Sequence, residues 1–269
     1  MIAVVDYQKG NLKSVERGLI AAGGEALITA DASEIAKADA IVLPGVGAFA
    51  DAAATMCELG QMEAIRDRVR AGVPFLGICL GEHLMFEHGV EGAPEGNPAC
   101  GLGLLPGTVV AMPRYDAQGK AFKVPHVGWN TIEMPACNGG AAVPPCGEGG
   151  GNAVLSSGGA GGGAARSSAA KRGLFEHSAF PDSTPQPGSN LAFACPLFDD
   201  IAPGEYFYFT HSFIAPTGSH TIAETTHSMR FTSAVQFGER AFGVQFHPEK
   251  SSDAGARVLA NFVAIAARG

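Results

Sequence analysis

Charge is scarce in this chain: only 16% of its 269 residues are charged, and acids outnumber bases for a formal net charge of -8. That balance argues against nucleic acid or an anionic membrane as the main partner. No apolar run is long enough to span a bilayer. No basic leader or transit-like arm precedes the first apolar stretch, so a cytoplasmic location is expected. The six cysteines, at 57, 79, 100, 137, 146 and 195, show no CxxC spacing and read as free thiols of a reducing, cytosol-like compartment. No metal and no cofactor is expected. What the chain does have is apolar residues, 46% of the total, enough for one well-cored domain with extras.

The most informative stretch is VPFLGICLGEHLMF at 73–86. Residues 73–78 read as a buried strand, Cys79 follows at once between Gly77 and Gly81, and residues 82–87 read as a helix. A strand that turns sharply into a helix through small residues holds one side chain out at the corner, as a nucleophile elbow does. The corner is strained, hence the glycines. A cysteine at a helix N-terminus is favoured as thiolate. By itself the string fits a buried free cysteine equally well.

A second string, FGVQFHPEKS at 242–251, bears on that choice. Residues 243–246 look like a strand end, and Pro248 pushes His247 into an extended conformation. Residues two apart in an extended segment face one side, so Glu249 can orient His247 as a base for Cys79. A surface turn is the commoner meaning of HPE alone; the two strings together point to nucleophile, base and orienter.

Strands are expected at 2–6, 25–30 and 40–43, with helices at 11–22, 33–37, 48–59 and 61–71, the first capped by Asn11. Short apolar strands alternating with helices predict an α/β fold with a mainly parallel sheet covered on both faces. Active-site loops then gather at the carboxyl edge, where Gly10, Gly47 and Cys79 lie. Beyond Gly101, strands are expected at 104–112, 121–127, 131–133, 206–211, 221–226 and 233–237, and a closing helix at 253–267. Thioester chemistry needs donors for an oxyanion; the Leu80 N–H is the natural first, and the PGVG turn makes Gly47 the candidate second.

Residues 136–195 depart from this pattern. The segment is rich in Gly, Ala, Ser and Pro, contains GGAGGGAARSSAA, and predicts a disordered Gly-rich insertion with one weak element near 173–177. The folded domain is expected to comprise residues 1–135 and 196–269.

GxCxG with a distant HPE resembles the class I, triad-type glutamine amidotransferases. Further stretches are similar to the glutaminase subunits of imidazole glycerol phosphate synthase: DYQKGNLKSV at 6–15, LPGVGAF at 43–49, GLGLLPGTVV at 101–110, PHVGWN at 125–130 and YFTHSF at 208–213. The resemblance implies a flavodoxin-like three-layer fold and glutamine hydrolysis through a glutamyl thioester on Cys79. It implies ammonia transfer to a (β/α)8-barrel cyclase, a separate subunit or a fused domain, that forms imidazole glycerol phosphate and AICAR in histidine biosynthesis. It also places Gly47 at the oxyanion strand, His211, Ser212, Phe213 and Glu91 at the glutamine site, and Asn11, Trp129 and Lys250 toward the barrel. Two departures stand out. The family usually has Gln where this chain has His83, four residues after the nucleophile, which bears on glutamine affinity. Gln8 stands where the family usually has Gly. The competing readings are an amidotransferase subunit feeding a different synthase, and a non-catalytic docking module.

Overall fold

In the computed structural model, residues 1–135 and 193–268 are described. In chain order the elements are β1 (Ile2–Val5), α1 (Leu12–Ala21), β2 (Ala26–Thr29), α2 (Ala32–Ile35), β3 (Ala40–Gly45), α3 (Phe49–Glu58), α4 (Gln61–Arg70), β4 (Phe75–Cys79), α5 (Leu80–His83), β5 (Phe86–Gly89), β6 (Ala99–Cys100) and β7 (Leu105–Ala111). They continue with β8 (His126–Thr131), β9 (Tyr206–His211), β10 (Phe213–Ile214), β11 (Thr221–Thr226), β12 (Arg230–Phe237), β13 (Ala241–Val244) and α6 (Ser252–Ala267).

The central sheet has seven strands in the order β11-β12-β13-β4-β3-β1-β2. From β13 to β2 every pairing is parallel, whereas β12 joins β13 and β11 antiparallel. Side chains alternate across the parallel strands and divide the core in two. Val4, Val42, Leu76 and Ile78 face Val15 and Leu19 of α1 and Val258, Leu259, Phe262 and Ile265 of α6. Val5, Ile41, Leu43 and Phe75 face Phe49 and Met56 of α3 and Ile65 and Val69 of α4. The helix residues recur at three- and four-residue spacing, so each helix turns one apolar stripe to the sheet. Full burial of each such side chain contributes about 1.5–3 kcal/mol. The result is the α/β three-layer sandwich that the sequence implies. Among the described residues no helix is long and apolar enough to cross a membrane.

Several expectations need correction. The helix after Cys79 is a single turn, Leu80–His83, and the chain re-enters a strand at Phe86. Any help for a thiolate therefore comes from local N–H groups and not from a long helix dipole. Asn11 precedes α1, but its side chain makes no capping hydrogen bond; its carbonyl accepts from Ser14 and Val15 instead. The strand expected at 121–127 starts only at His126; before it, Ala121 makes one isolated bridge to Tyr115. Two small sheets were not anticipated: β10-β7-β5-β6, and the ribbon β8-β9. The insertion, with its element near 173–177, lies outside the described residues apart from its last three. Of these, Phe193 and Cys195 are buried, and the Phe193 ring packs 4.8 Å from that of Phe198. The core thus resumes before Pro196.

Candidate active site

Cys79 ends β4 with φ 54°, a left-handed conformation that a non-glycine residue adopts only under strain. The packing around it explains the two flanking glycines. A methyl group at Gly77 would strike the Gly81 carbonyl, and one at Gly81 would strike the Leu43 carbonyl on the neighbouring strand. The elbow is therefore locked between β4 and β3 by contacts only glycine permits. The Cys79 sulfur lies 3.9 Å from the Thr210 carbonyl and receives an N–H from Gln245 Nε2 at 3.7 Å.

The partner side chains arrive from β13. Its parallel register with β4 sets Val244 opposite Ile78, so the residues that follow Val244 run beside Cys79. His247 is extended, as Pro248 requires, but Pro248–Lys250 then forms a 3-10 turn. His247 and Glu249 meet through that turn, not through strand alternation: Nδ1 and Oε1 are 3.0 Å apart, with side chains only 4% and 2% exposed. Burial pushes the imidazole pKa down, yet pairing with the Cys79 sulfur and with the Glu249 carboxylate outweighs it and holds His247 at about 9. His247 Nε2 has no partner in ordinary hydrogen-bond geometry among the described residues, although the Cys79 sulfur raises its pKa by hydrogen bonding and by charge. The backbone around the ring is clamped: His247 N–H donates to Tyr208 O at 2.9 Å, Ser251 Oγ donates to His247 O at 2.6 Å, and Tyr208 N–H donates to Ser251 Oγ at 3.0 Å.

Cys79 opens into a cavity of 370 Å³. Its lining includes eight residues named from the sequence: Gly47, Cys79, Leu80, His83, Glu91, His211, Ser212 and Phe213. Val46, Ala48, Pro125 and Thr210 complete it. Gly47 has φ 101°, a backbone that favours glycine. Burial raises the Glu91 carboxyl pKa, against a hydrogen bond from the Phe49 amide that lowers it. His83 is driven down to about 4 by burial, opposed by its bond to Gln245, so it is neutral near pH 7. The remaining named residues lie outside the cavity lining. Asn11, Trp129 and Lys250 are exposed, Trp129 at 44%, with its ring 6.0 Å from that of Tyr208.

Behind His211 runs a chain of neutral imidazoles. Asn130 Nδ2 donates to His126 Nε2 at 3.3 Å, His126 Nδ1 donates to His211 Nε2 at 3.0 Å, and His211 Nδ1 donates to Phe213 O at 2.9 Å. Burial keeps His211 well below its ordinary value and takes His126 down to about 4. The sequence reading missed His126, Gln245 and Ser251. Gln245 carried a signal: it stands two residues before His247 on one strand end, hence on one face. Among the described residues no group of three or more His, Cys, Asp or Glu is placed to hold a metal ion.

An elbow cysteine beside a carboxylate-paired histidine, opening into a cavity, is the set of groups that thiol-based amide cleavage requires. The family described as glutamine amidotransferase class-I matches residues 3–137 and 171–266. The chain belongs to that family. Similar proteins are named imidazole glycerol phosphate synthase subunit HisH. That of Moorella thermoacetica is 36% identical, over 97% of this chain and 93% of its own length. That of Rhodopirellula baltica is 34% identical, over 97% and 96%. Within the class, the chain falls among these HisH subunits. A solved structure titled as a glutamine amidotransferase superposes with a TM-score of 0.58 at 15% identity, covering 99% of this chain and 100% of its own, a likeness of fold.

Proposed function

We propose that the chain hydrolyses glutamine on a Cys79–His247–Glu249 triad and supplies the ammonia to a (β/α)8-barrel cyclase of histidine biosynthesis in the cytoplasm. The observation that carries this is the buried His247–Glu249 pair, 3.0 Å apart, with its imidazole held at about 9 beside the Cys79 sulfur. At pH 7 such a ring, beside the nucleophile, can take up the thiol proton as an imidazolium and return it. The thiolate attacks the carboxamide carbon of glutamine, and the oxyanion is held by the amides of Leu80 and Gly47. His247 gives its proton to the nitrogen, and ammonia leaves a glutamyl thioester. The ring, now neutral, takes a proton from water as the hydroxyl attacks, glutamate departs, and the thiolate returns. Glu249 keeps Nδ1 protonated and Nε2 toward the sulfur.

Glu91 and the 211–213 stretch would hold the amino-acid end of the substrate. The names of the relatives favour imidazole glycerol phosphate synthase as the destination of the ammonia. Asn11, Trp129 and Lys250 are exposed, which leaves them free to meet the barrel. A non-catalytic docking module would have no use for three converging, buried triad side chains.

A glutamine-analogue electrophile should label Cys79, and Cys79→Ala should abolish labelling. Wild-type protein with no label at residue 79 would overturn the reading. Co-purification with a barrel protein tests the pathway, and capture of a different synthase would replace it.

A further inference from the structure

Position 83 faces two ways. It lines the cavity beside Cys79, yet its ring nitrogen is already committed: His83 Nε2 lies 2.7 Å from Gln245 Oε1, inside the protein. Gln245 is completely buried, and its other amide atom, Nε2, is the donor to the Cys79 sulfur at 3.7 Å. One continuous path therefore runs from the imidazole at 83 through an amide to the nucleophile. The protons along it follow from the chemistry of each group. Gln245 Oε1 can only accept, so His83 presents an Nε2–H. Gln245 Nε2 can only donate, so the sulfur receives.

The backbone fixes where the amide can act. Gln245 follows β13, and its own N–H donates to Ser233 O at 3.0 Å. Register with β4 brings it alongside Cys79, and alternation turns it to the same side as His247. One strand end thus carries both the amide that donates to the sulfur and the imidazole paired with it. An amide could turn over and offer Oε1 to the sulfur instead, which would repel a thiolate. The hydrogen bond from His83 holds the carbonyl end and removes that freedom.

We propose that Gln245 is a positioning residue for the nucleophile, aimed at the Cys79 sulfur by His83, so that residue 83 acts on the thiolate through Gln245. This deepens the glutaminase reading and rests on it. The usual Gln at 83 could hold Gln245 in the same way through its amide N–H.

The test is alkylation of Cys79 by iodoacetamide in the intact chain between pH 6 and 9, followed by mass spectrometry of the Cys79 peptide. The exposed Cys57 serves as internal reference. A hydrogen bond to a charged group is worth roughly a factor of ten or more in population. Gln245→Met should therefore slow Cys79 alkylation at pH 7 about tenfold relative to Cys57, with the KM for glutamine moving less than about twofold. His83→Leu should slow it about threefold and His83→Gln should restore it. The double variant His83→Leu/Gln245→Met should be no slower than Gln245→Met alone, because the two act in series. An unchanged rate in folded Gln245→Met, or single effects that multiply in the double variant, would overturn the proposal. Should Gln245→Met fail to fold by circular dichroism, the His83 variants decide: wild-type alkylation in folded His83→Leu refutes it. Wild-type Cys79 left unlabelled by a glutamine-analogue electrophile would refute the glutaminase reading itself.

Discussion

On one side of the cavity the wall is the middle of the seven-stranded sheet, where β4 lies between β3 and β13 and every side chain of Phe75–Cys79 is buried. On the other side it is the two-stranded ribbon β8-β9, buried only on alternate residues, with Val127 and Trp129 exposed on its outer face. The first wall is held by close packing of backbone on backbone at Gly77 and Gly81. The second is held by hydrogen bonds strung through Asn130, His126 and His211. Chemistry that needs a fixed sulfur sits on the first wall. Trp129, proposed to meet the barrel partner, sits on the second. A packed sheet centre has no slack, whereas the ribbon is anchored to the core on one face only, through Phe207 and Phe209, and leaves the other face exposed.

The contrast can be broken most strongly at the nucleophile. Cys79→Ser should lose about 10⁴-fold or more in glutaminase kcat. Its thermal midpoint should stay near that of the wild type, since serine keeps the shape of the buried cysteine side chain; a large fall in melting temperature would assign it a structural role. Next comes the elbow. Gly81→Ala should destabilise by about 3 kcal/mol in chemical denaturation, whereas Gly128→Ala on β8, with nothing within reach of the added carbon but φ 138°, should cost about 1 kcal/mol. Equal costs would erase the distinction between the walls.

The third handle is pH. His247 is raised in the folded chain to about 9, above its ordinary value of 6.5. Its stabilising contribution is therefore full below about 6.5 and lost as pH rises through about 9. Glutaminase activity should fall through the same upper limb as the imidazolium disappears, and melting temperature should fall more across that window in wild type than in His247→Gln. On the ribbon, His126→Leu leaves His211 Nε2 without its donor and should cost about 1–2 kcal/mol, with a severalfold rise in KM for glutamine and kcat nearly unchanged. The smallest effect belongs to Trp129→Ala: within about 0.5 kcal/mol in the isolated chain, while affinity for the barrel partner falls by roughly tenfold or more if Trp129 is an anchor.

The first wall was far more legible in the sequence than the second. Short buried strands, flanking glycines and an HPE string carry local signals, and parallel pairing then brings residues 79 and 247 together. The one-turn length of α5 was not legible, because LGEHLMFE fits a helix or a turn into β5 equally well. The bond between His126 and His211 needs the pairing of β8 with β9, strands 75 residues apart at their near ends, which no window on the sequence contains. Phe193 and Cys195 were assigned to the insertion, yet both are buried in the core beside Leu197 and Phe198.

The direct pairing of β8 with β9 has a consequence for how this chain can vary in size. Their pairing sets the ends of His126–Thr131 and Tyr206–His211 side by side, and each doubling of a flexible connection between two such ends costs only about 0.6 kcal/mol in chain entropy. Inserting a residue between Gly77 and Gly81 would instead break the register of two parallel neighbours at once. Long and short forms of the same protein should therefore differ at that hairpin and keep a constant count of residues at the elbow.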